Sequence, residues 1–307
     1  MSDTTASLRR KIDSAGDLQS VVRTMKTMAA ASLGQYEKST AALADYYRNV
    51  ELGLHACLSV HRETPLMAKT ANPKGQAEIG AIVFGSDQGL VGQFNDIVAD
   101  FAVERLKALP KKPEVWAVGE RVQARLAESG WPATGFFTVP NSAAAISHLV
   151  GKMLLETEAR HGQGAIFELH LFYNRPTTGA SYTPVSQKLL PLDEEWRRNL
   201  SALAWPTAKL PEVMGIGAHT LRALIREYLF VSLFRASAES LASENASRLA
   251  AMQRADKNID DLLTELNGKF HRLRQSAIDE ELFDVISGFE ALSTTHGDRS
   301  QAATERT

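Results

Sequence analysis

Two stretches of this chain place apolar or small residues at gaps of three and four, the second with breaks, for much longer than a compact domain has room for. The first runs Leu8, Ile12, Ala15, Leu18, Val22, Met25, Ala29, Ser32, Tyr36, Ser39, Leu43, Tyr46, Val50, with no proline before Pro65. A period of about 3.5 residues is that of a helix lying along one partner helix. At 1.5 Å per residue, about 50 residues span roughly 75 Å. The second set follows Pro211 and runs Leu221, Leu224, Tyr228, Leu241, Asn245, Met252, Ala255, Ile259, Leu262, Leu266, Leu273, Ala277. Unbroken from Val213 to Leu292, it would extend about 115 Å. An antiparallel coiled coil of N- and C-terminal helices over 1–60 and 210–292 is therefore expected. The longer helix must outrun the shorter, and its surplus apolar surface calls for another protein.

The texture changes between these stretches. "EIGAIVF", "EVWAV", "AIFELHLFY" and "TPVSQKLL" read as strands, and the segments near Asp96 to Ala108, Arg121 to Ser129 and Ala143 to His161 read as helices. Alternation of this kind predicts a Rossmann-like α/β domain with a mostly parallel sheet, over 76–191, inserted between the long helices. The polar, proline-containing "HRETPLMAKTANPKGQ" and "PLDEEWRRNLSALAWPTAKLPEV" read as links. The polar end, residues 293–307, reads as a disordered tail.

With 44% hydrophobic residues in a chain of 307, there is enough apolar material for a real core. A net charge of −2 argues against a global nucleic-acid or membrane field, so any charged partner surface is local. No stretch approaches the roughly 20 apolar residues of a membrane span, and "MSDTTASLRRKID" holds no apolar signal core. A cytoplasmic protein without direct membrane insertion is expected. Cys57 is the single cysteine, which leaves no intramolecular disulfide and no thiolate zinc site from this chain alone.

"FGSDQGLVGQFN", Phe84 to Asn95, follows a strand and precedes a helix, where a nucleotide loop belongs. Its glycines read G-x-x-x-G-x-x-G, which is neither the dinucleotide nor the P-loop spacing, and it has no lysine to reach a phosphate. A phosphate cradle and a tightly packed turn both remain open on spacing alone. The histidines form no metal-ligand pattern, and Asp193, Glu194 and Glu195 read as a solvated turn, so no catalytic residue, metal or cofactor is expected. Arg9, Arg10, Lys11, Arg23 and Lys26 face only Asp13 and Asp17 across residues 9–26, and Lys269, Arg272 and Arg274 form a second basic group. Either a solvated face or contact with an acidic partner would account for them.

Four segments together resemble the γ subunit family of F-type ATP synthases. "LRRKIDSAGDLQSVVRTMKTMAAAS" is similar to its N-terminal motif, with Arg9, Ile12, Ser14, Gln19, Met25, Ala29 and Ala30 in register. The glycine loop resembles S-D-R-G-L-C-G-G-[LFY]-N at Ser86, Asp87, Gly89, Leu90, Gly92 and Asn95. "SENASRLAAMQRADKNIDDL" and "RQSAIDEELFDVISG" resemble the two C-terminal motifs. The resemblance implies a non-catalytic rotor shaft that stands inside a ring of α and β subunits, with its base on the ε subunit and the membrane c-ring. It would lie peripherally at the cytoplasmic face of a bacterial inner membrane. It also implies a ring interface at Arg9, Gln19, Met25, Lys26, Arg274, Gln275 and Glu281, and a backbone-geometry role for Gly89 and Gly92. Gln88, Val91 and Gln93 stand where the family usually has Arg, Cys and Gly, and Asp279 replaces a usual Thr, which marks a divergent branch. The alternative is a nucleotide-binding α/β module with a dimerising coiled coil.

Overall fold

The computed structural model describes residues 4–60, 78–162, 166–177, 181–209, 211–213 and 217–304. The expected link at 61–76 lies outside them. In chain order the elements are α1 (Thr5–Val60), β1 (Glu78–Phe84), α2 (Phe94–Lys107), β2 (Glu114–Val118), α3 (Glu120–Glu128), β3 (Gly135–Phe137), α4 (Ala143–Gly162), β4 (Ile166–Pro176), β5 (Tyr182–Leu190), α5 (Glu194–Ser201) and α6 (Gly217–Thr304). Packing divides the chain into two compact units, Met25–Met252 and the pair Met1–Thr24 with Gln253–Thr307. The division falls inside α1 and α6, which each contribute to both units.

The larger unit is built on a five-stranded sheet of order β3-β2-β1-β4-β5. β1 pairs in parallel with β2 and β4, β2 with β3 likewise, and only the edge strand β5 runs antiparallel to β4. Side chains alternate along each strand, so one strand feeds two cores. Ala81 and Val83 of β1 join Val115 and Ala117 of β2 under Val98, Ala102 and Leu106 of α2 and Val122 and Leu126 of α3. Ile82 and Phe84, on the opposite face, join Trp116, Leu171 and Tyr173 under Ile146, Val150 and Met153 of α4. Val50 and Leu54 of α1 and Leu221, Leu233 and Leu241 of α6 close that second core. Each fully buried Val, Leu or Ile here contributes about 1.5–3 kcal/mol.

Within this unit α6 is enclosed on all sides from residue 236 to 247, "ASAESLASENAS". A helix hydrophobic all round is the usual tenant of a core. Here small side chains achieve the same enclosure by letting α1 and the strand ends approach closely. α1 and α6 run antiparallel: Tyr46 Oη donates to Glu227 Oε1 at 2.7 Å, the Tyr47 and Tyr228 rings lie 5.7 Å apart, and Gly53 abuts Leu224.

In the smaller unit the helix segments also pair antiparallel. Leu8 shares a surface groove with Leu273, Ala15 shares one with Ile259 and Leu266, and Arg23 pairs with Asp256 at 3.0 Å and Asp260 at 3.5 Å. Burial follows a strict heptad through Leu8, Ala15 and Val22 on one side and Ile259 and Leu266 on the other. Leu18, expected in the stripe, is 54% exposed, and Gln19 turns inward in its place. A single partner helix covers one narrow seam, and positions beside it stay wet.

Two expectations are corrected. The proline-containing stretch 191–213 holds a helix, α5, because Asp193 caps it by accepting from Trp196 N at 2.9 Å. Asp193 also pairs with Lys188, and Glu194 and Glu195 occupy the first helical turn in place of an irregular solvated one. A short edge strand, β3, lies unforeseen beside β2. The helix α6 itself runs to Thr304.

Candidate functional site

The glycine loop leaves the C-terminal end of β1, the central strand. In a doubly wound sheet a ligand sits beyond the strand ends where the order reverses, here between β1 and β4. This chain fills that crevice with α6. Ser247 Oγ donates to Val91 O at 2.6 Å, and Ser243 Oγ donates to Asn174 O at 2.9 Å. Glu239, buried on α6, accepts from Arg175 Nε of β4 at 2.9 Å and from Arg235 Nε at 2.7 Å. Charge-assisted bonds of this kind are about twice as strong as neutral ones. The Arg175 bond joins the loop end of the sheet to the helix, and the Arg235 bond holds Glu239 from its own helix.

The loop's polar side chains serve its own backbone. Ser86 N donates to Asn95 Oδ1 at 3.0 Å, Asn95 Nδ2 donates to Ser86 Oγ at 2.9 Å, and Ser86 Oγ donates to Gln88 O at 2.9 Å. Asp87 accepts from Glu120 N and from Val139 N, both at 3.0 Å. A carboxylate therefore already occupies the first turn of α3, where a phosphate would be drawn. Leu90 and Gly92 have φ of 62° and 59°, so the turn uses left-handed backbone at both positions. Gly89 has no positive φ, and a Cβ there would lie 3.7 Å from the Arg121 guanidinium, an ordinary contact. The spatial demand falls on Gly85 and Gly119, which the motif did not single out. A Cβ on Gly85 would lie 2.3 Å from Val122 Cβ, and one on Gly119 would lie 2.7 Å from the Ser86 backbone.

Beside the loop, α1, α6 and the segment before α4 enclose a groove of about 310 Å³, lined by Met25, Tyr36, Asp87, Gln88, Asn141, Glu244 and Arg248 among others. Glu244 Oε1 accepts from Arg248 Nη2 at 2.6 Å, and burial, opposed in part by Arg248, pushes its carboxyl pKa up. The titratable groups facing it are Tyr36 from α1, Asp87 from the loop and Arg248 from its own helix. Tyr36 is itself raised, by burial first and by Glu244 second. A raised acid adds stability that is complete below the ordinary glutamate range and is lost as pH rises through the folded value. Glu244→Gln, which imitates the protonated acid, is thus expected to raise the urea midpoint of the purified chain at pH 8. That gain should shrink toward pH 4.5. An equal effect at both pH values would contradict the assignment.

The residues expected at a ring interface separate into three kinds. Gln19 is buried and donates through Nε2 to Asp260, with Asp256 Oδ1 at 3.4 Å, so its side chain is engaged by α6. Met25 and Lys26 are half-buried in the larger unit, Met25 in the groove wall. Arg9, Arg274, Gln275 and Glu281 are exposed. Every residue from Arg274 to Ile286 is exposed, including Ile278, Leu282, Phe283, Val285 and Ile286. Among the described residues no cluster of three or more His, Cys, Asp or Glu could hold a metal, and no helix is long and apolar enough to cross a membrane.

The family model described as ATP synthase matches residues 4–292. The ATP synthase gamma chain of Dechloromonas aromatica is 26% identical over 291 residues, 93% of this chain and 98% of that one. The gamma chain of Clavibacter sepedonicus is 27% identical over 299 residues, with 93% and 97% covered. Among solved structures, the rotor of the Euglena gracilis mitochondrial ATP synthase in rotational state 1 superposes with a TM-score of 0.60 at 14% identity, covering 89% of this chain and 98% of that one. A chain of the same organism's OSCP/F1/c-ring assembly gives 0.60 at 16%, covering 94% of each. These likenesses carry the fold, and the whole-length match carries the kinship: the chain belongs to the ATP synthase gamma chain family.

Proposed function

We propose that this chain is the central rotor shaft of an F-type ATP synthase or ATPase. The observation that carries the reading is the stretch of α6 from Arg274 to Ile286, exposed on every face yet bearing five large apolar residues. An exposed apolar surface of this kind marks a contact with another protein. A sleeve of α and β subunits suits it, because an apolar contact has no fixed ion pairs that would lock a turning shaft. The opposite requirement holds in the larger unit, where Glu239, Ser243 and Ser247 bind α6 to the sheet so that a base and a helix pair move together.

In this reading the chain breaks no bond and holds no cofactor. Ion flow turns the c-ring and the base that rests on it with ε. The asymmetric shaft then presents a different face to each β subunit and shifts the balance of its open and closed states, which changes nucleotide affinity. Hydrolysis runs the cycle backwards. The chain would work peripherally, on the cytoplasmic face of a bacterial inner membrane.

Co-expression with α and β should yield a complex whose ATP hydrolysis depends on this chain, and calorimetric titration of the chain alone with ATP or ADP should show no micromolar binding. Micromolar binding at the Gly85 loop would favour the nucleotide-binding alternative, and failure to form a complex with α and β would overturn the proposal.

A further inference from the structure

The groove beside the glycine loop carries an incomplete ion pair. Glu244 is 5% exposed, its Oε1 is held by Arg248, and its Oε2 has no hydrogen-bond partner although it is buried. An unsatisfied buried carboxylate oxygen is costly, because it has given up its water without gaining a protein donor. Asp87, the other carboxylate of the groove, already accepts from two backbone amides and cannot donate to it. With Asp87 and Glu244 set against Arg248 alone, the wall has an excess of one negative charge among these groups. Gln88, at the same wall, supplies no charge.

We infer that this groove is a docking pocket for one lysine or arginine side chain of a neighbouring subunit, whose ammonium or guanidinium completes the Glu244 carboxylate. The volume of about 310 Å³ accommodates the end of such a side chain. Because α1, α6, the β1 loop and the segment before α4 all contribute, the pocket exists only when these four parts are packed together. A cation seated there would clamp the helix pair to the base, and would bind more weakly once Glu244 is protonated. Only the identity of the cation's owner rests on the rotor reading; the pocket's chemistry does not.

The test uses the purified full chain, carbon-13 labelled at glutamate carboxyls, titrated with methylguanidinium, n-butylammonium, uncharged methylurea and acetate. The Glu244 carboxyl resonance should shift saturably with the two cations and not with methylurea or acetate. Glu244→Gln should weaken cation binding, followed at the Gln88 and Asn141 amides, by at least about tenfold. Gln88→Arg, which brings a cation from the loop itself, should suppress external binding while leaving the melting temperature at or above the wild-type value. Cation binding unchanged in Glu244→Gln, a response to methylurea equal to that of the cations, or saturable binding of acetate at Arg248 would each overturn the inference. None of these outcomes depends on co-purification with α and β, so failure here and failure of the rotor reading remain distinguishable.

Discussion

Gly119→Ala is expected to destabilise the chain by about 3–5 kcal/mol, the largest single-residue loss anticipated in the base. Two costs combine. Gly119 has φ of 111° and ψ of 137°, a conformation that residues with a Cβ rarely adopt. The added methyl would also lie 2.7 to 2.8 Å from the C, O and N of Ser86, and backbone cannot rotate away as a side-chain tip can. The displacement would spread through bonds that cross at this point: Gly85 N donates to Val118 O at 2.8 Å, Arg121 N to Ser86 O at 2.9 Å, and Gly119 N to Phe137 O at 3.0 Å. At about 2–4 °C per kcal/mol for a unit of this size, thermal unfolding should fall by roughly 10 °C. Gly89→Ala is the control, since its methyl meets only the Arg121 guanidinium, at 3.7 Å. It should stay within about 0.5 kcal/mol. Equal melting temperatures for the two variants would show that the two loops do not cross as described.

That pair of glycines also marks how far the sequence could be read. Strands β1 and β2 were legible to the residue because they are buried on both faces and so spell continuous apolar runs, "EIGAIVF" and "EVWAV". Helices α2, α3 and α4 were legible from their period. The demand at Gly85 and Gly119 was not, because it comes from Val122 and Ser86 across a loop crossing that no local spacing encodes. β3 is three residues long and too short for alternation to register. The signal for α5 was present, Asp193 followed by two acids, but it sat in a stretch whose prolines read as a link. Heptad counting found the α1 seam, yet it could not choose between Leu18 and Gln19 for an inward place. Asp256 and Asp260 on the facing helix make that choice.

The groove is the clearest case of a site hidden from sequence. Glu244 and Arg248 sit at i,i+4, a spacing that on most helices marks an exposed ion pair worth a few tenths of a kcal/mol. Nothing local announces that residues 236–247 are enclosed on all sides. The small side chains allow that enclosure, and the sheet ends and α1 impose it. Once enclosed, the same pair becomes a desolvated carboxylate with one oxygen satisfied, which is a different chemical object.

The exposed end of α6 gives the second large expected effect, and it should appear only in the assembly. Phe283 and Ile286 are 68% and 45% exposed in the isolated chain, so Phe283→Asp with Ile286→Asp removes no buried contact there. Thermal unfolding of the purified double variant should match wild type within about 0.5 kcal/mol per site. Two carboxylates pressed against an apolar sleeve would each cost several kcal/mol of desolvation, which corresponds to a loss of complex of a hundredfold or more. Arg274→Glu with Gln275→Ala, on the same exposed stretch, probes its polar part. Reversing a rim charge should weaken coupling of hydrolysis to rotation more than it weakens assembly, because exposed charges steer and orient more than they bind. The two readouts therefore separate. A sleeve around α6 requires the aspartate pair to abolish complex formation with α and β, while the Arg274 pair leaves a complex that hydrolyses ATP with poor coupling. If the aspartate variant assembles normally, α6 beyond Arg274 does not lie inside the ring, and the apolar surface of this helix must be assigned to another partner.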